Sequence, residues 1–94
     1  MRTIERSSAF KRDYRHLKAM PRQGKDVESL VSALVGLLVA DEPLPANYRD
    51  HALSGEWSGY RECHVKPDLL LIYRKPDPNT LRLARLGSHS DLFG

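Results

Sequence analysis

The spacing of apolar residues changes once along this chain. Val27, Leu30, Val31, Leu34, Val35 and Leu38 recur at three- and four-residue steps, which lays them along one stripe of a helix. Beyond residue 57 the apolar residues fall instead in short runs, Leu69–Tyr73 and Leu81–Leu86. Lys66-Pro67-Asp68 and Pro76-Asp77-Pro78-Asn79 bound these runs with turn chemistry. A chain ordered this way places its helices early and its strands late, the pattern of an α+β domain.

The first helix is amphipathic. Ser7 and Ser8 offer an N-cap, Phe10, Tyr14 and Leu17 follow at helical spacing, and Met20-Pro21 stops it. Its other face holds Lys11, Arg12, Arg15 and Lys18. The second helix is expected over about 25–40, ended by Asp41-Glu42-Pro43. Arg2–Glu5 reads as a short first strand, residues 44–57 as loop, and about 58–65, 69–75 and 80–87 as an antiparallel meander. The expected order is β-α-α-β-β-β, with two helices on one face of the sheet. Period two turns Cys63 and Val65 towards the helices and leaves Tyr60, Glu62 and His64 on the open face. Leu86 breaks the parity of Leu81 and Leu83, so a bulge or strand end is expected near Ala84-Arg85.

Ninety-four residues make one domain, 1–94. A single cysteine, Cys63, excludes an internal disulfide framework. With no apolar run of membrane-spanning length and no signal-peptide core, a cytoplasmic protein is expected. Charge is uneven. Residues 1–25 carry eight Lys and Arg, Arg22 and Lys25 among them, against Glu5 and Asp13, a net of +6 that leaves the remainder at −3 within a total of +3. Such a basic region suits a polyanion or an acidic protein, and equally a solvated helix face.

Three of the four histidines lie in polar motifs: Tyr48-Arg49-Asp50-His51, Tyr60-Arg61-Glu62-Cys63-His64-Val65-Lys66-Pro67-Asp68, and Arg85-Leu86-Gly87-Ser88-His89. Histidine titrates nearest neutrality, so a converging set suits proton transfer. A zinc sphere is the rival use, but the histidines lack tight spacing and there is no Cys-x-x-Cys. His16, alone on the basic helix, is read as incidental.

Taken in order, these motifs resemble the YafQ-type toxins of the RelE/ParE superfamily. The resemblance runs through Leu44-Pro45, Tyr48–His51, Leu53-Ser54-Gly55, Trp57–Arg61, His64–Asp68, Ile72-Tyr73, Leu81-Arg82, Gly87–His89 and the terminal Leu92-Phe93-Gly94. It implies a RelE-like fold and an endoribonuclease that cuts messenger RNA on the ribosome without a metal ion or other cofactor. It also implies a cognate antitoxin partner, with a monomeric toxin when free and a heterotetramer when paired. His51, His64, Asp68 and His89 match the family's catalytic positions, and Phe93 matches an aromatic that contacts the substrate base. The ParE-like branch implies a different activity, poisoning of DNA gyrase.

RNA brings its own nucleophile, the 2′-hydroxyl. Cleavage then needs a base, an acid for the departing 5′-oxygen, and positive charge on the phosphorane. The expectation is that His64 and His89 flank the phosphate, Asp68 orients one imidazole or acts as base, and His51 completes the set. Arg82, Arg85 and Lys66 are the candidate phosphate cations.

Overall fold

The computed structural model describes residues 1–21 and 24–94; Arg22, part of the basic segment, lies outside the described residues. Strand β1 (Thr3–Arg6) leads into α1 (Ser8–Ala19) and α2 (Gly24–Val39). Two single turns of 3-10 helix, Ala46–Tyr48 and Gly55–Trp57, flank the two-residue strand β2 (His51–Ala52). Then come β3 (Arg61–Lys66), β4 (Leu69–Asp77), β5 (Thr80–Gly87) and a short α3 (His89–Phe93). The five strands form one sheet in the order β1-β5-β4-β3-β2. β1 runs parallel to β5 and every other pair is antiparallel.

The expected helices, strands and layering are present, with two added elements and one strand that starts later. β2 extends the sheet from the stretch read as loop, and its register is His51↔Glu62 and Ala52↔Arg61. The third strand begins at Arg61 rather than residue 58, because Ser58-Gly59-Tyr60 completes a turn with Gly59 at φ 92°. The chain end folds as α3 on a capping box: the Ser88 hydroxyl accepts from the Asp91 N–H, and the Asp91 carboxylate accepts from the Ser88 N–H.

α1 and α2 cover one face. Phe10 and Leu17 of α1, and Val27, Val31, Leu34 and Leu38 of α2, pack on Cys63, Val65, Leu71, Tyr73, Leu81, Leu83 and Leu86. This is the predicted parity, and the expected bulge supplies its last member. Ile72 faces Arg85 while Tyr73 faces Leu83, so Ala84 is the extra residue that returns Leu86 to the core side. α1 is stitched to that irregularity. Ser7 caps the helix by accepting from the Phe10 N–H at 2.9 Å, and its hydroxyl donates to the Ala84 carbonyl at 2.6 Å. Asp13, one turn on, accepts from the Leu86 N–H at 3.0 Å and from Arg85 through both Nε and Nη2.

Candidate active site

The face away from the helices carries a smaller apolar cluster, Leu70, Ile72, Ala84 and Leu92, edged by Leu53, Trp57 and Tyr60. Beside it stand the polar residues of β3. Glu62 and His64 are two apart and so share this face, and the β2 register sets His51 opposite Glu62. Glu62 is only 5% exposed. Its Oε1 lies 3.6 Å from His51 Nε2 and 3.8 Å from His64 Nε2, so one buried carboxylate faces two imidazoles.

The opposite ring nitrogens are held by backbone. His51 Nδ1 lies 2.8 Å from the Arg49 carbonyl, and His64 Nδ1 lies 3.3 Å from the Pro67 carbonyl. A carbonyl oxygen only accepts, so each Nδ1 carries a proton and donates, and each Nε2 turns to Glu62. In the neutral ring that Nε2 is a bare acceptor. Once protonated it meets the Glu62 carboxylate. Both imidazoles are therefore placed to take and return a proton at Nε2.

A strand of two residues does not hold its own position. Asp50, the residue before His51, fastens it from the other side of the sheet. The Tyr73 hydroxyl donates to Asp50 Oδ1 at 2.5 Å, and Arg61 donates to Oδ2 from Nη2 at 2.8 Å and from Nε at 3.1 Å. Burial, and then the Asp50 hydrogen bond, push the Tyr73 phenol well above its ordinary range, so it stays a donor. The Asp50 carboxylate raises Arg61, which stays charged. Burial likewise raises the Cys63 thiol beneath.

Asp68 sits exposed in the β3–β4 turn. Among the described residues its carboxylate has no hydrogen bond to an imidazole, and His64 Nδ1 meets the Pro67 carbonyl. His89 opens α3, its ring 5.0 Å from that of Phe93 one turn later. Phe93 is 39% exposed, which is unusual for so large an apolar side chain. His64, Leu70 and Gly87 align across β3, β4 and β5. Two strand spacings, about 10 Å, separate Gly87 from His64, and His89 follows two residues further on, at the start of α3. The structure thus brings His51 and His64 together and sets His89 with Phe93 across the sheet.

The expected phosphate cations all have carboxylate partners. Arg85 forms the bidentate pair with Asp13, Arg82 pairs with Glu5 at 3.0 Å, and Lys66 pairs with Asp26 at 2.7 Å. Arg85 is thereby a joint between helix and sheet. Sequence reading passed over Glu62 as a site residue, although its parity with His64 was legible. Its burial was not, because β2 and its pairing were not foreseen. Among the described residues, no three His, Cys, Asp or Glu side chains are grouped so as to hold a metal ion.

Three comparisons bear on this arrangement. The chain is 42% identical over 93 residues to the mRNA interferase toxin YafQ of Escherichia coli K12, covering 99% of this chain and 97% of that one. The crystal structure of YafQ from E. coli BL21(DE3) superposes over the whole of both chains with a TM-score of 0.86 at 39% identity. YafQ in the E. coli DinJ–YafQ complex does so with a TM-score of 0.85 at 40% identity. Residues 2–94 match the family model for the bacterial toxin YafQ of type II toxin–antitoxin systems, and the chain belongs to that family.

Proposed function

We propose that this protein is a metal-independent endoribonuclease that cuts messenger RNA on the translating ribosome, the toxin half of a toxin–antitoxin pair. The observation that carries the reading is the convergence of His51 Nε2 and His64 Nε2 on Glu62. The likeness to a toxin named as an mRNA interferase supports it. One unprotonated imidazole removes the 2′-hydroxyl proton, and the 2′-oxygen attacks phosphorus. The P–O5′ bond breaks, and a protonated imidazole supplies the proton to the departing 5′-oxygen. A 2′,3′-cyclic phosphate and a 5′-hydroxyl result. Each such proton transfer contributes typically ~10²–10⁴-fold.

Glu62 stabilises whichever imidazole is charged. His89 and Asp68 close the site from the other side of the phosphate, and Phe93, exposed and braced by His89, takes the face of a substrate base. Arg82 and Lys66, in exposed pairs that hold weakly, can exchange their carboxylates for substrate phosphate. The ribosome supplies much of the substrate positioning. The free toxin is a cytoplasmic monomer. A cognate antitoxin forms a heterotetramer with it, as a complex with DinJ is seen for the E. coli relative.

The test is cleavage of a defined messenger RNA in chelator, with and without programmed ribosomes. Cuts confined to ribosomal samples are expected. Cuts on naked RNA alone would remove the ribosome from the proposal. No cuts in either, with inhibition of gyrase supercoiling, would replace the nuclease by a gyrase poison.

A further inference from the structure

Beside His64, on the side away from His89, an open cavity of about 310 Å³ is lined by Asn47, Arg49, His64, Val65, Lys66 and Pro67. Its charged lining is wholly cationic, Arg49 and Lys66, with no carboxylate among those residues. Lys66 is partly spent on Asp26. Arg49 has no carboxylate partner among the described residues. Its backbone lies in the left-handed region, φ 52° and ψ 41°, which residues with a Cβ adopt only occasionally. That conformation presents the Arg49 carbonyl to His51 Nδ1, and the same residue lines the cavity beside His64. One residue thus touches both imidazole environments.

We propose that this cavity is a subsite for a backbone phosphodiester of single-stranded RNA, next to the scissile one, with the Arg49 guanidinium as its principal cation. At the small end of the ~300–1,000 Å³ range of ligand clefts, it accommodates a sugar–phosphate unit and excludes a folded element. Arginine presents a planar fork of donors that matches a phosphate, and such contacts set the register of the strand without reading its sequence. An acidic protein segment would satisfy the same charge. RNA is favoured because the wall of the cavity is an imidazole of the reactive pair. The inference rests on the ribonuclease reading of that pair.

The experiment is binding of a fluorescent 2′-deoxy oligonucleotide, which lacks the nucleophile, to wild type, Arg49→Gly and Arg49→Lys over a range of salt. Glycine is at ease at positive φ, so Arg49→Gly suits the backbone conformation while removing the side chain with its guanidinium. Arg49→Gly is expected to bind about tenfold more weakly. Its log–log salt dependence should be shallower by about 0.7, the value for one phosphate contact on a single strand. Arg49→Lys should keep the salt slope of wild type and fall between wild type and Arg49→Gly in affinity, having the charge without the fork. A single uncharged methylphosphonate, moved along the oligonucleotide, should at one linkage erase the difference between wild type and Arg49→Gly. Equal affinities, or weaker binding with an unchanged salt slope, would overturn the subsite. So would a loss confined to antitoxin binding. None of these readouts needs cleavage, so loss of the subsite is told apart from failure of the nuclease reading, which the messenger cleavage test decides.

Discussion

At the scale of single residues, the site turns on a carboxylate that two imidazoles share. Glu62 is isosteric with glutamine, so Glu62→Gln preserves packing and removes the charge facing His51 and His64. We expect single-turnover cleavage to fall at least about tenfold, within the range of acid–base contributions, with the melting temperature nearly unchanged. Wild-type cleavage by that variant would mean that the carboxylate only fills space. The backbone carbonyls of Arg49 and Pro67 make a second prediction at this scale. Long-range ¹H–¹⁵N spectra should find the neutral rings of His51 and His64 protonated at Nδ1. The opposite tautomer in either ring would remove the proposed part of its Nε2.

At the scale of elements, short pieces are held by side chains from outside themselves. α3 is five residues long, far below what an isolated helix needs, and rests on the Ser88–Asp91 capping box and the burial of Leu92. Ser88→Ala should cost about 1 kcal/mol where the cap is lost. It should reduce cleavage by more than the lost stability explains, because His89 and Phe93 both ride on this helix. Cleavage that tracks the folded fraction alone would place both residues outside the reaction. Ser7 is the corresponding tie for α1, serving the helix start and the carbonyl of the bulged Ala84. Ser7→Ala should lower unfolding stability by about 1–2 kcal/mol in urea titrations and leave turnover per folded molecule unaltered. The bulge was legible in the broken parity of Leu81, Leu83 and Leu86. The capping box was legible in principle, since Ser88 and Asp91 stand at the required spacing. Neither the hydroxyl on the bulge nor the Asp13 clasp was legible, because each joins residues more than seventy positions apart.

At the scale of the whole molecule, Cys63 and Tyr73 are the buried ionisable groups of the core between helices and sheet among the described residues, and burial raises both. The sign follows from proton counting. Above about pH 8.5 for a free thiol and about pH 10 for a free phenol, the unfolded chain loses protons that the folded one retains. Stability contributed by these groups is therefore complete below those values and declines as pH rises towards the folded ones. The guanidinium denaturation midpoint should drop between pH 7 and pH 10.5, and Tyr73→Phe with Cys63→Ala should flatten that drop. A midpoint that rises with alkali would contradict the buried placement of both.

What the sequence determined by itself was local in origin. Apolar period set the helices and the late strands, parity set which strand residues face the helices, and the order of polar motifs pointed to the family. The tertiary structure decided what depends on partners distant in the chain. It made a strand of His51-Ala52 by pairing them with Arg61-Glu62, and so buried Glu62 between two imidazoles. It also paired Arg85 of the sheet with Asp13 of α1. The physical reason is the reach of the interactions. Period and capping act within a few residues and are written in the local sequence. Ion pairing and desolvation depend on which surfaces meet after the chain has folded.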